Sequence, residues 1–239
     1  MDSRLEDASL APELGPRKFK FTSRQGRDRR TRLLGATREL LRERSPESIS
    51  FADVCQKAEI PRPSAYHFFS NIQALFQGLR LLHAETLIQR TTELEHRSFP
   101  AWPDYLEALV DTAREVTLSD PAYPALIYGY GLDFAETREI GRDLDGRLAR
   151  LALAGMQDRF QLPDMAGLEG ICSIALSIID SIFRHSYRRK GQITDAMALE
   201  AKRAAVAYLK LYIPELCPPR IDKGAGLDTQ EGAPVAPPE

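Results

Sequence analysis

Four side chains with hydrogen-bonding groups lie within six residues of one another: Arg62, Ser64, Tyr66 and His67. A guanidinium group pairs with both acceptors of a guanine edge, while hydroxyl and imidazole groups bond to base edges or phosphate oxygens. This combination favours contacts with nucleic acid, with Arg62 as the best candidate for a guanine. Partial packing is the alternative for Tyr66, and an inconsequential surface position is the alternative for His67.

Basic residues are concentrated around these side chains. Residues 17–90 contain 15 Lys and Arg against 7 Asp and Glu, whereas the whole chain carries a net charge of −2. This asymmetry predicts that one face meets a polyanion while the acidic remainder stays in solution. Arg29 and Arg30 belong to the densest basic run and are expected to add phosphate contacts. The alternative for the run is a solvated arm without a partner.

Catalytic and metal-binding patterns are not evident. The three cysteines and four histidines are dispersed, and neither a glycine-rich phosphate loop nor a nucleophile-and-base motif occurs. We therefore predict no enzyme activity, no metal and no cofactor. An all-helical enzyme would need acid, base or metal groups that converge only in the fold. The chain lacks the long apolar stretch of a membrane span and the apolar region of a signal peptide, so we expect a cytoplasmic location.

The pattern of apolar residues predicts helices throughout, and therefore an all-α fold. A first helix is expected over 27–44. Ser50-x-x-Asp53 is a capping box that opens a second helix, which ends at Ala58. Pro63 suits the first turn of a third helix. Asn71 is the N-cap of a long fourth helix, expected from Ile72 to Arg97.

Two short helices joined by a tight turn over residues 50–69 are what a helix-turn-helix requires. With the preceding helix, this stretch resembles the DNA-binding domain of the TetR family of transcriptional regulators, and the resemblance covers about residues 27–80. The residues that match the family pattern are Ser50, Val54-Cys55, Ala58, Ile60, Tyr66, Phe69 and Asn71. The resemblance implies an N-terminal three-helix DNA-binding domain and a C-terminal helical bundle. It also implies a homodimer on double-stranded operator DNA, with Tyr66 at the phosphate backbone.

Two residues depart from this pattern. Glu59 stands where the family has Gly, at a position that we expect to have a positive φ, which costs a non-Gly residue about 1 kcal/mol. Ile72 stands where the family has a Lys that approaches a phosphate. The backbone amides at the helix starts capped by Ser50 and Asn71 remain candidate phosphate donors.

Further helices are predicted over 103–118, 121–128, 135–160, 164–188 and 194–213. Residues 168–183 are apolar on nearly every face, which indicates burial on two sides. We expect the last two helices to form a dimer interface, with an ordinary core helix as the alternative. By the resemblance, the preceding helices surround a pocket for a small effector. Candidate pocket residues are Trp102, Tyr105, Tyr128, Tyr130, Phe134 and Asp180, although a structural core is the alternative for each aromatic residue.

Asp180 interrupts the apolar helix and therefore needs a partner, either in the pocket or across the interface. The predicted division is a flexible arm over 1–24, a DNA-binding domain over 25–76, an effector-binding and dimerisation domain over 77–216 and a disordered tail over 217–239. The leading hypothesis is a repressor whose dimer binds a pseudo-palindromic operator. The alternatives are an activator, or a protein of the same fold that acts through protein contacts.

Overall fold

The computed structural model describes residues 24–129 and 135–220, and it contains nine α-helices and no β-strand within those ranges. The all-α prediction is therefore confirmed. The helices are α1 (Arg24–Glu43), α2 (Phe51–Lys57), α3 (Arg62–Ala65), α4 (Ile72–Thr92), α5 (Trp102–Leu118), α6 (Ala122–Tyr128), α7 (Ala135–Arg159), α8 (Leu168–Lys190) and α9 (Asp195–Leu209). Single 3₁₀ turns cover Pro46–Ser48 and Glu93–His96. None of the described helices is long and apolar enough to cross a membrane.

Several helices begin where a side chain accepts a hydrogen bond from a backbone amide that has no partner within the helix. Asn71 Oδ1 accepts a hydrogen bond from Ala74 N at 2.8 Å at the start of α4, and Thr194 accepts one from Met197 N at the start of α9. The start of α8 differs from the prediction, because Gly167 has a left-handed φ of 83° and the helix begins at Leu168 rather than near residue 164.

The buried apolar residues form two clusters. The first joins α1 to α4 and includes Leu33, Val54, Phe69 and Leu75. The second joins α5, α7, α8 and α9, with Trp102, Met156, Phe183 and Leu209 among its members. The N-terminal half of α4 belongs to the first cluster, and its C-terminal half extends beneath the second group of helices. The helix α4 therefore contacts both parts of the protein.

The short helix α6 also belongs to both parts. Ala122 and Leu126 are buried in the first cluster, whereas Tyr128 is buried in the second. Asp120, immediately before α6, is 5% exposed and accepts hydrogen bonds from Arg42 Nε at 2.9 Å and from Ala122 N at 3.0 Å. A charged residue of α1 thus fixes the start of α6.

The two ends of the described region differ in part from the prediction. Helix α1 begins at Arg24, within the expected arm, and the first 23 residues lie outside the described ranges. The first residues of the expected disordered tail are hydrogen-bonded: Gln161 N donates to Pro218 O at 2.9 Å and Arg220 N donates to Arg159 O at 2.7 Å. These bonds tie the chain after α9 to the end of α7. Residues 221–239 lie outside the described ranges.

Candidate nucleic-acid interface and internal cavity

The start of α2 has the geometry that its sequence predicts. Ser50 Oγ accepts from Asp53 N at 3.2 Å, and Asp53 Oδ2 accepts from Ser50 N at 2.9 Å, so the capping box is complete. The hydrogen bonds from the backbone and side chain of Ser50 lower the pKa of Asp53. Because this carboxylate is charged at neutral pH, the start of α2 is less attractive to a phosphate than its bare amides would be. Arg44, 3.5 Å away, offsets that charge.

The turn between α2 and α3 holds Glu59 at a φ of 53°, the positive value that the comparison with Gly predicted. Arg32 of α1 reaches the same turn, where its Nη2 donates to Ala58 O at 2.6 Å and lies 3.9 Å from the Glu59 carboxylate. The end of α2 is therefore stabilised by a side chain from α1 rather than by a Gly.

The helix α3 and the four residues that follow it have one face exposed to solvent and one packed on the core. Ala65, Phe68 and Phe69 are buried, while Arg62 and His67 are exposed and Ser64 is half-buried. The Arg62 side chain makes no hydrogen bond or ion pair within the described part of the chain, which leaves its guanidinium group available to a ligand. The sequence-predicted recognition residues are thus brought together on one exposed surface.

Tyr66 is 56% exposed, and its ring stacks on Phe51 with the ring centroids 4.7 Å apart. This contact holds the ring against α2 and directs the phenol outward. The Tyr66 ring is therefore partly packed, as the alternative had it. The exposure of the side chain is also compatible with the expected contact between its hydroxyl and a phosphate.

Arginines of α1 lie next to this surface. Arg29 Nη1 donates to Ser64 Oγ at 3.4 Å, so the basic end of α1 adjoins the recognition helix. Arg30 is half-buried, and burial and the charge of Arg27 lower its pKa. Ile72, which replaces the family Lys, packs against the core of this domain instead of facing solvent.

A cavity of 660 Å³ lies between α4, α5, α7 and α8, with Ile127 and Tyr128 of α6 at one side. Its walls are mostly apolar and include Leu87, Leu109, Leu148, Leu176 and Phe183. The volume is within the range of small-molecule sites.

Only part of the predicted pocket set lies at this cavity. Tyr128 and Asp180 line it, whereas Trp102 and Tyr105 are core residues elsewhere. Trp102 Nε1 donates to Pro214 O at 2.8 Å, and the Tyr105 ring lies 4.7 Å from the Arg159 guanidinium. Tyr130 and Phe134 lie outside the described residues.

Asp180 is half-exposed rather than buried, and it accepts a hydrogen bond from Arg184 at 2.8 Å. Its predicted need for a partner is therefore met by an Arg of the same helix, one turn away. Burial and the charge of Asp180 raise the pKa of both Tyr128 and Asp145, which also face the cavity.

A second polar pair lies deeper in the cavity. His83 Nε2 is 3.1 Å from Thr117 Oγ1, and the Thr117 hydroxyl donates to Ala113 O at 2.7 Å. Because the hydroxyl has a single hydrogen, His83 donates through Nε2. Burial, with the nearby charge of Arg80, lowers the pKa of His83 to about 4, so the ring is neutral at pH 7.

Arg80 and His83 were not singled out from the sequence. Both interrupt an apolar run, LRLLHA over residues 79–84, and that interruption is the sequence signal by which they could have been found. A charged or ionisable side chain on the buried face of a long helix needs a polar partner or a cavity.

The fold and the exposed helix-turn-helix define a DNA-binding protein with a separate helical domain that contains a cavity. Residues 33–79 match the family described as "Bacterial regulatory proteins, tetR family", and residues 101–209 match "Tetracyclin repressor-like, C-terminal domain". The chain belongs to the TetR family of transcriptional regulators.

Solved structures share the fold. A TetR-family transcriptional regulator from Streptomyces coelicolor is 21% identical, with a TM-score of 0.61 over 78% of this chain and 98% of its own. A TetR transcriptional regulator from Rhodococcus sp. RHA1 is 16% identical, with a TM-score of 0.59 over 77% and 97%. GusR of Salmonella enterica is 20% identical, with a TM-score of 0.55 over 77% and 96%. No curated protein sequence matches the chain.

Proposed function

We propose that this TetR-family regulator is a repressor that binds a pseudo-palindromic operator as a homodimer and is released by a small effector in the cavity. The observation that carries the DNA-binding part is the exposed group formed by α3 and the residue after it, in which the guanidinium of Arg62 has no partner among the described residues and the ring of Tyr66 stacks on Phe51. Such a surface fits the major groove, with Arg62 at a guanine and Tyr66 at a phosphate.

The dimer is supported by apolar side chains on the outer faces of α8 and α9. Ile174 is 50% exposed and Leu199 is 46% exposed in the single chain. Two such helices from each subunit would cover this surface in a symmetric four-helix interface. Light scattering of the full chain tests this. The double variant Ile174→Asp, Leu199→Asp should be monomeric if these helices form the interface.

The operator is obtained by selection of bound sequences from random DNA, and a symmetric site with two half-sites about one helical turn apart is expected. On that site Arg62→Ala should weaken binding by about 1–3 kcal/mol while largely sparing random DNA. Arg62→Lys is the matched control, since it keeps the charge but not the two-pronged geometry. Equal losses on operator and random DNA would disprove the guanine contact.

Arg29→Ala provides the opposite pattern. Arg29 borders the recognition helix and is expected to contact phosphate, so its loss should weaken operator and random DNA alike and reduce the salt dependence of binding by about one charge. A reporter gene behind the selected operator separates repression from activation. The alternative that the protein acts through protein contacts predicts weak DNA binding, because a DNA regulator must lose affinity steeply as salt rises.

A further inference from the structure

Arg80 differs from the other charged groups at the cavity. Its side chain is half-buried on α4 and lines the cavity, yet it makes no hydrogen bond and no ion pair within 4.0 Å with any residue in the described ranges. Asp145 and Asp180 influence it only through longer-range electrostatics. A partly desolvated guanidinium group with five donors is stabilised by a negatively charged partner.

Two other polar groups at the cavity have partners, and Asp145, which has no hydrogen bond or ion pair among the described residues, is exposed. Asp180 is bound by Arg184, and His83 donates to Thr117. His83 is neutral at pH 7 and adds no positive charge near Arg80. Among the described lining residues, the unpaired positive charge on the inner side of the cavity is therefore that of Arg80.

The charge balance of the described lining points the same way. Four arginines and two aspartates line the cavity, which gives a net charge of +2 with the histidines counted as neutral. The additional arginines, Arg188 and Arg189, lie on the exposed last turn of α8. They would attract an anion toward the cavity.

The remainder of the cavity is apolar. Leu87, Leu109, Leu151 and Phe183 are among its walls. At about 30 Å³ for each non-hydrogen atom, the space a water molecule takes in the liquid, the 660 Å³ volume holds on the order of 20 atoms. A molecule of that size complements the described lining when it has one polar end for Arg80 and an apolar body for the walls.

We infer that the cavity binds an amphipathic carboxylate, with its carboxylate paired to Arg80 and its alkyl or aromatic body against the leucine-rich walls. This inference rests on the proposed function only in calling the molecule an effector; the binding site itself is independent of DNA. Arg pairs with a carboxylate through two parallel hydrogen bonds, so we expect Arg80 to prefer a carboxylate over an alcohol of the same chain length.

Isothermal titration of the DNA-free full chain tests the inference with decanoate, 1-decanol and decylamine as probes of equal chain length. Decanoate should bind at least tenfold more tightly than decanol, and decylamine should bind most weakly. Naphthoate serves as the aromatic arm and distinguishes a flat body from a flexible one. Equal affinity for decanoate and decanol, tighter binding of decylamine, or no binding by any of the four probes would overturn the inference.

Arg80→Met keeps the length of the side chain and should reduce the preference for decanoate over decanol to threefold or less. Arg80→Lys should keep part of the preference and guards against a loss through misfolding. Arg90→Met, on the same helix as Arg80 but exposed and outside the cavity lining, is the matched control and should behave like wild type. A tenfold preference that persists in Arg80→Met would place the carboxylate elsewhere and refute the assignment.

A separate measurement distinguishes this inference from the proposed function. Decanoate is added to the protein bound to its selected operator. If decanoate binds through Arg80 but DNA is not released, the carboxylate site stands and effector release fails. If DNA binding itself is absent, the titration of the free protein still decides the site.

Discussion

Replacing Asp120 with Asn should destabilise the protein by about 3 kcal/mol. Asp120 is 5% exposed, and its two oxygens bind the guanidinium of Arg42, while Arg38 Nε lies 3.6 Å from Oδ2. Asn keeps an acceptor for Ala122 N and Arg42 Nε, but it puts an amide NH₂ toward the second nitrogen of Arg42. One charge-assisted hydrogen bond contributes about 1.5–3 kcal/mol, and a poorly solvated Arg38 without its counter-ion adds about 1 kcal/mol.

In a chain of this size, 1 kcal/mol corresponds to about 2–4 °C in Tm, so the variant should melt roughly 6–12 °C below wild type. Denaturant unfolding at one fixed protein concentration gives the free energy, because the stability of the proposed dimer would depend on concentration. A double-mutant cycle with Arg42→Ala should show a coupling of at least about 1 kcal/mol. A loss below 1 kcal/mol, or additive effects, would refute the role assigned to this pair.

The pH dependence gives an independent check. Burial alone would raise the pKa of Asp120, but the hydrogen bonds from Arg42 and Ala122 and the nearby arginine charges outweigh it and lower the pKa. A lowered pKa means that the stability from this carboxylate is fully present above its unfolded pKa of about 4 and is lost as pH falls through the folded value. The difference between wild type and Asp120→Asn should therefore be constant at pH 5–8 and shrink below pH 4.

Three further substitutions test local features. Ser50→Ala removes the N-cap of α2 and should cost about 1 kcal/mol in unfolding free energy. Gly155→Ala should cost about 2 kcal/mol by thermal unfolding, because its Cβ would lie 1.9 Å from the hydroxyl of the buried Tyr105. Glu59→Gly relieves a φ of 53° and should stabilise the protein by about 0.5–1 kcal/mol after the entropy of Gly is counted. It should also strengthen DNA binding in a filter assay, since it removes a carboxylate beside α3.

Each of these three substitutions has a matched control variant. Ser50→Thr should keep most of the cap. Gly146→Ala, on the same helix as Gly155 but with its nearest neighbour 3.5 Å away, should be neutral or slightly stabilising. Glu59→Gln removes the charge and leaves the strain, so it should share the gain in DNA binding but not the gain in stability. The opposite result for any pair would contradict the mechanism assigned.

Local features of the DNA-binding domain were readable from sequence because neighbouring residues determine them. The Ser50 and Asn71 caps each depend on a few consecutive residues, whereas the positive φ at Glu59 was expected from the Gly that the family has at this position. The all-α fold followed from periodicity along the chain. The beginning of α8 was placed too early because the left-handed conformation of Gly167 was not recognised as a helix boundary.

The cavity was harder to predict because its lining depends on how distant helices pack. Trp102 and Tyr105 have the same aromatic character as Tyr128, yet only Tyr128 faces the cavity. Trp102 is fixed instead by a carbonyl 112 positions later in the chain, a partner that composition and spacing do not reveal. Arg80 has a local sequence signal, a charge within an apolar run. Its position at a cavity, however, depends on the packing of α7 and α8 against α4, which the sequence does not show.

In the repressor proposed above, the cavity and the DNA-binding domain are coupled through the elements that contact both, the long α4 and the short α6. Leu126 packs into the DNA-binding domain, and the next two residues, Ile127 and Tyr128, line the cavity. A seven-residue helix has few internal hydrogen bonds, so its position is determined by the packing on both sides and by Asp120 at its start. A molecule in the cavity that displaces α6 must therefore change the contacts of Leu126. If that change disfavours the DNA-bound form by 1.4 kcal/mol, operator affinity falls tenfold, and the same factor weakens effector binding to the DNA complex.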